Sequence, residues 1–249
     1  MCPVAVSKMH GTLNDFVVLD QRTQHVDDLV AFARYVCDRR GGIGADGLIV
    51  LLPSDRADAR MRIINADGGE AEMCGNGMRC AVRYLSERGE GENFEIETLA
   101  GIIGAQVLEK GDVYRIRLNV GVPRFEDRTL PLFDAAFVWV GNPHVVIFER
   151  SLEDIDLVAV GRHMSDVNVH VAVVAGRQRL DVRHHERGVG LTNACGTGAV
   201  ACAVAAIERG LADSPVDVHV PGGVLQVEWD GAGEAFLTGP AVRVFDAQL

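Results

Sequence analysis

Apolar positions follow two periods along this chain. After Cys74-Gly75-Asn76-Gly77, the residues Met78, Ala81, Val82 and Leu85 recur at i, i+3, i+4 and i+7, one face of a helix. Val200, Val204 and Ile207 repeat that face after Cys195-Gly196-Thr197-Gly198. Both runs close on Glu-Arg-Gly, at Gly89 and Gly210, at the same spacing from their cysteines, as a C′ glycine would end a helix. Downstream the period changes to two. Segments 94–98, 102–108 and 113–118 alternate polar and apolar residues and are divided by Gly101 and by Lys110-Gly111-Asp112. Segments 216–220, 224–229 and 235–238 do the same, with Gly222-Gly223 and Asp230-Gly231 between them. The pattern is written twice. It predicts an α+β fold of two similar halves, each pairing one helix with a strand-rich sheet. Gly121, Pro123, Asp127 and Pro131 interrupt the strand pattern and place the boundary within 120–131, giving halves of 1–120 and 121–239.

Composition narrows the class of protein. The 249 residues are 48% hydrophobic, enough to fill one large core or two of ordinary size. A net charge of -11 argues against a nucleic-acid or anionic-membrane surface, both of which need a field of Lys and Arg. Residues 1–9 carry no basic cluster with a long apolar core, so no signal peptide is expected. The longest apolar stretch, around 199–207, falls short of the roughly 20 residues that cross a bilayer. A soluble, cytoplasmic protein is the expectation, with no membrane or nucleic-acid partner. Its cysteines should then be reduced. The spacings Cys74-x5-Cys80 and Cys195-x6-Cys202 do not suit zinc, and no metal is expected. Cys2, Cys37, Cys80 and Cys202 read as buried apolar side chains.

Cys74 and Cys195 read differently, because each opens the helix of its half. Inverting a carbon that bears a hydrogen needs a base on one face and an acid on the other. A thiol serves as either, and a helix N-terminus lowers its pKa by favouring negative charge. The glycines behind each sulfur free backbone N–H groups to meet a carboxylate, and the same groups stabilise the charge that develops as the proton leaves. A single Cys-Gly-x-Gly turn would be read as a helix start with a buried thiol. Two in equivalent positions point to two-cysteine epimerase chemistry.

Ordered motifs carry a resemblance. These are Met9-His10-Gly11-Thr12-Leu13-Asn14-Asp15-Phe16, Gly42-Ile43-Gly44-Ala45-Asp46-Gly47, Asn65-Ala66-Asp67-Gly68 with Met73 to Cys80, Gly141-Asn142-Pro143-His144, Val167-Asn168-Val169, and Glu186-Arg187-Gly188-Val189-Gly190 leading to Ala194-Cys195-Gly196-Thr197-Gly198. Over nearly its whole length the chain resembles diaminopimelate epimerases. The resemblance implies two barrel-like domains, each a sheet around a central helix, related by pseudo-twofold symmetry, with residues 240–249 crossing back to the first. It implies Cys74 and Cys195 as the acid/base pair, without pyridoxal phosphate, other cofactor or metal. Gly75, Asn76, Gly196 and Thr197 would hold the reacting carboxylate. Asn14, Asn65, Asn142, Asn168, Glu186 and Arg187 would read the remote amino-acid end of the substrate. Charge agrees, since Arg187 suits a distal carboxylate and Glu186 a distal ammonium. For the asparagines, turn formation is the competing reading, most strongly at Asn65. His144 could orient or help deprotonate a thiol, or simply begin a strand after Pro143.

The implied reaction interconverts LL- and meso-diaminopimelate in lysine and peptidoglycan precursor supply. The expected partner is a small amino-acid substrate, and a homodimer is allowed for. Leu13, His170 and Leu191 depart from the family pattern, and the chain is short between Phe148 and Asn168. Leu13 replaces a usual glycine, so its loop is expected to take another path. The nearest rival is the same chemistry on another amino acid, such as histidine or a small diamino acid. A non-enzymatic thiol redox protein is the rival of a different class.

Overall fold

The computed structural model describes residues 3–249, so Cys2 lies outside the described residues. Two compact units emerge: Met1–Leu118 with Gly239–Leu249, and Asn119–Thr238. The first unit contains β1 (Ala5–Gly11), β2 (Asn14–Asp20), α1 (Leu29–Cys37), β3 (Gly47–Leu52), β4 (Ala59–Asn65), β5 (Glu70–Ala71), α2 (Gly75–Glu87), β6 (Asn93–Thr98), β7 (Gly101–Glu109) and β8 (Val113–Asn119). The second begins with β9 (Arg124–Glu126) and then contains β10 (Ala135–Val140), β11 (Asn142–Phe148), α3 (Leu157–His163), β12 (Asn168–Gly176), β13 (Arg179–Glu186), β14 (Gly190–Thr192), α4 (Gly196–Glu208), β15 (Val216–Val220), β16 (Gly223–Glu228) and the start of β17 (Phe236–Gln248).

The duplication holds strand for strand. In the first unit β1–β2 is antiparallel, β2–β3 parallel, β3–β4 antiparallel, β4–β6 parallel, and β6–β7 and β7–β8 antiparallel. In the second unit β10–β11, β11–β12, β12–β13, β13–β15, β15–β16 and β16–β17 follow in the same senses. The hairpins expected after each cysteine helix are present. Two parallel pairs per unit and the short helices α1 and α3 add to the expectation. Each short helix connects strands that run parallel, which a tight turn cannot do. An Asp caps each of them: Asp28 accepts from the amides of Val30 and Ala31, and Asp156 from that of Ala159.

Each sheet wraps its central helix. Helix α2 touches β1, β2, β3, β4 and β7, while α4 touches β10, β11, β12, β13, β15 and β16. Burial of α4 follows directly from composition, since its alanines and valines pack into one core with Val146, Ala172, Leu180, Val182, Leu225 and Leu237. Helix α2 is buried just as fully but carries Arg79 and Arg83. Arg79 is fully buried and spends its donors on the carbonyls of Pro240 and Gly75, on Thr12 Oγ1 and on Asn76 Oδ1, at 2.7–3.3 Å. Arg83 donates to the carbonyls of Ala241 and Asp112 and pairs with Glu87 at 2.8 Å. Pro240 and Ala241 lie in the part of β17 that belongs to the first unit, just ahead of Val242–Gln248, which pair with β1. Both helices end as expected, on Gly89 and Gly210 with φ of 80° and 67°. Among the described residues no helix is long and apolar enough to cross a membrane.

Candidate active site

Each central helix begins on its cysteine. Cys74 and Cys195 are N-cap residues with extended backbones, at φ/ψ of -143/116 and -119/111. Their carbonyls accept the first helical hydrogen bonds, from Met78 N at 2.8 Å and Ala199 N at 2.9 Å. The following amides therefore sit in the first turn, where the helix itself supplies no acceptor. Packing disfavours a side chain at the last glycine of both turns, mildly at Gly77 and severely at Gly198. A Cβ on Gly77 would stand 3.2 Å from Ile63 Cδ1, and one on Gly198 would lie 2.5 Å from the His170 ring.

The surroundings of the two sulfurs differ. Cys74 is half-buried and its Sγ lies 3.6 Å from Asn14 Oδ1, which also accepts from Asn76 Nδ2 at 3.3 Å. Asn14 is aimed by its other end, whose Nδ2 donates to Asp46 Oδ2 at 2.7 Å. Asn76 is held in turn by Thr12 and Arg79. The motifs around Asn14, Asp46 and Cys74 thus converge on one place. Asn65 stands apart from that network: its backbone closes the turn between β4 and β5, bonding Gly68 N and Gly69 O, with Gly68 at φ 91°.

Around Cys195 the structure gathers Thr197, whose Oγ1 is 3.7 Å from the sulfur, and Glu186, whose carboxylate charge acts on the thiol. Burial pushes the Cys195 thiol well above its ordinary pKa and the Glu186 charge adds to that, against weaker help from Thr197 and the Gly198 amide. The lowering expected at a helix N-terminus is reversed here, because desolvation and a neighbouring carboxylate outweigh the dipole. Burial likewise raises the carboxyl of Glu186. Cys37 and Cys80 are inert by the same physics: burial pushes their thiols up to about 11 and about 12. Cys202, fully buried in α4, is raised as well.

The remaining residues form a second cluster in this unit. Asn168 donates to Pro143 O at 3.1 Å and accepts from Arg187 N at 3.0 Å, which ties the Asn142-Pro143-His144 strand start to the Glu186-Arg187 turn. The Arg187 guanidinium is exposed and reaches Asp166 O at 3.5 Å. Asn142 Oδ1 is buried with no hydrogen-bond partner among the described residues. His144 is buried and bonds His170 Nε2 through Nδ1 at 2.9 Å. Leu13 forms, with Thr12, the two-residue β1–β2 turn at φ of 62° and 54°, so the loop keeps the backbone a glycine would take without strain. Sequence reasoning did not single out Asp46, Arg79 or His184 by role. In the sequence Arg79 falls on the polar side of the helix, off the face of Met78, Ala81, Val82 and Leu85.

The match to known sequences spans nearly the whole chain. Residues 6–126 and 136–244 match the family described as diaminopimelate epimerase. The chain belongs to the diaminopimelate epimerase family. Among relatives, the diaminopimelate epimerase of Desulforudis audaxviator is 42% identical, over 97% of this chain and 98% of that protein. The diaminopimelate epimerase of Moorella thermoacetica is 43% identical, over 96% of each. The fold extends beyond the diaminopimelate epimerase family. A Bacillus anthracis phenazine biosynthesis protein of the PhzF family superposes with a TM-score of 0.76 at 18% identity, covering 100% of this chain and 99% of its own. A hydroxyproline epimerase from Agrobacterium vitis gives 0.74 at 16% identity, covering 100% and 91%.

Proposed function

We infer that this chain is a cofactor-independent epimerase that interconverts LL- and meso-diaminopimelate, with Cys74 and Cys195 as its two acid/base groups. One observation carries the reading: in each unit of a family-wide fold, the residue that caps the buried central helix is a cysteine. One thiolate takes the α-proton, and the other thiol returns a proton to the opposite face. The backbone amides of Gly75, Asn76, Gly196 and Thr197 would receive the charge that flows into the α-carboxylate. Raised by burial and by Glu186, Cys195 rests as a thiol and is the proton donor of the resting enzyme. When Cys195 must act as base, Glu186 is the adjacent group that can take its proton, since burial raises that carboxyl too. Glu186 then has a role beyond its charge match to a distal ammonium. Asn14, Asn65, Asn142, Asn168 and Arg187 would read the far end of the substrate, and the unpaired Asn142 Oδ1 is a ready acceptor for it. The enzyme would work in the cytoplasm on lysine and peptidoglycan precursors.

The test incubates reduced protein with LL-diaminopimelate in heavy water, without added cofactor, beside Cys74→Ala and Cys195→Ala. Deuterated meso product from the wild type alone is the expected result, with epimerisation in each variant down by roughly 10⁴-fold or more. Exchange on a different amino acid would keep the chemistry and replace the substrate. No exchange on any amino acid would end the epimerase reading.

A further inference from the structure

Three buried histidines stand side by side in the second unit: His144 on β11, His170 on β12 and His184 on β13. His170 lies directly opposite His184 in the antiparallel register, and opposite Val146 in the parallel one. Alternation along the strands puts all three histidines on the face that carries Val146, Ala172, Leu180 and Val182. That face packs against α4, with His170 directly under Gly198 in the helix's first turn.

The rings are bonded in series. His144 Nδ1 meets His170 Nε2 at 2.9 Å, and His170 Nδ1 meets His184 Nδ1 at 2.8 Å. The outer atoms, His144 Nε2 and His184 Nε2, are buried without a hydrogen-bond partner among the described residues. Burial lowers the pKa of all three, to about 3 for His144 and for His184, so the rings are neutral at pH 7. The charged group that also reaches His144 is Arg187, which disfavours a proton there as well. Each neutral ring carries one N–H.

Three protons and two shared bonds leave two neutral arrangements. In the first, His144 Nδ1–H donates to His170, His170 Nδ1–H donates to His184, and His184 keeps its proton on Nε2. His144 then shows a bare lone pair at Nε2. In the second, His184 Nδ1–H donates to His170, His170 Nε2–H donates to His144, and His144 shows an N–H at Nε2. Any other neutral pattern sets two lone pairs or two N–H groups against each other across one of these contacts, and a fourth proton would charge a ring on an apolar face, which costs several kcal/mol.

We propose that His144, His170 and His184 act as one tautomer-coupled unit, in which His184 decides whether His144 offers a lone pair or an N–H at Nε2. Its use rests on the epimerase reading: His170 and His184 are positioning residues for His144 as a hydrogen-bond acceptor at Nε2, which needs the first arrangement. His184→Leu would strip His170 Nδ1 of its partner. Either arrangement then leaves one buried N–H without an acceptor, at His170 Nδ1 or at His144 Nε2, so the bias set by His184 is gone and His144 populates both tautomers.

Nitrogen NMR of protein labelled with ¹⁵N-histidine tests this without catalysis. The expected wild-type spectrum has scalar couplings across both N–H···N bonds and a His144 protonated at Nδ1. His184→Leu is expected to spread that proton over Nδ1 and Nε2, and kcat to fall about twofold or more at unchanged KM. His184→Asn, whose amide stands near the Nδ1 position, is expected to restore both. Missing couplings in the wild type, or a His144 tautomer unmoved by His184→Leu, would overturn the proposal. Should His184→Leu fail to fold, the wild-type couplings decide alone. Loss of all α-proton exchange in the wild type would end the epimerase reading and leave the NMR result standing, while full epimerisation without couplings would end the coupled unit alone.

Discussion

Helices α2 and α4 occupy equivalent places, have equal lengths and leave through the same Glu-Arg-Gly end, yet they are buried by opposite means. Helix α4 needs only small apolar residues that fit inside a wrapped sheet. Helix α2 brings two guanidinium groups inside and satisfies them with carbonyls from β17 and with side chains around Cys74. The lesson is that one architectural slot accepts either solution, provided that every buried donor finds an acceptor. The polar solution also ties the core to the site, because Arg79 holds both Thr12 and Asn76, and Asn76 shares Asn14 Oδ1 with the Cys74 thiol.

The largest expected effect follows from breaking that tie. Arg79→Leu leaves the carbonyl of Pro240 and the oxygens of Thr12 and Asn76 without their buried donor, and should destabilise the chain by roughly 3–5 kcal/mol. Denaturant unfolding of the purified variant measures it, and a loss under about 1 kcal/mol would mean that the network is decorative.

A second contrast is in pH. The polar helix is held by guanidinium groups, whereas α4 is backed by histidines that must stay neutral. Their folded pKa lies below the unfolded value, so their stability contribution is complete above pH 6.5 and is lost as pH falls toward 3. At pH 5 the loss should be about 2 kcal/mol for each of His144 and His184. Both tryptophans, Trp139 and Trp229, lie in the second unit, so their fluorescence reports that unit's melting. An unchanged melting temperature between pH 7 and pH 5 would contradict the neutral chain.

The smallest effect concerns the turns. The second unit makes its β10–β11 turn with Gly141 at φ 71°, whereas the first places Thr12 and Leu13 at positive φ. Thr12 is compensated by its hydrogen bond from Arg79, but Leu13 is exposed and has only the strain. Leu13→Gly should therefore stabilise the chain by up to about 1 kcal/mol, read as a small rise in Tm.

Much of this was visible in the sequence because the signals are local. A cysteine ahead of Gly-x-Gly, a closing glycine and period-two strands each act over a few residues, and both central helices and their hairpins follow from them. The parallel pairs were not visible, since they join segments separated by a helix or a loop. Arg79 reads as the polar side of an amphipathic helix, and only the carbonyls of residues far along the chain turn that side into core. The histidine chain was half visible. His170 stood out singly, but its link to His144 and His184 depends on the register of three strands, which no short window contains.

The return of β17 has a consequence for the order of synthesis. A ribosome makes the start of the first unit before the second, yet that unit's returning strand and one backbone acceptor each for Arg79 and Arg83 lie in Gly239–Leu249, after the whole of the second unit. Residues 119–238 are all in hand before then. The unit begun earliest is thus the one completed latest, and Arg79 and Arg83 wait for part of their acceptor set until Pro240 and Ala241 follow the second unit.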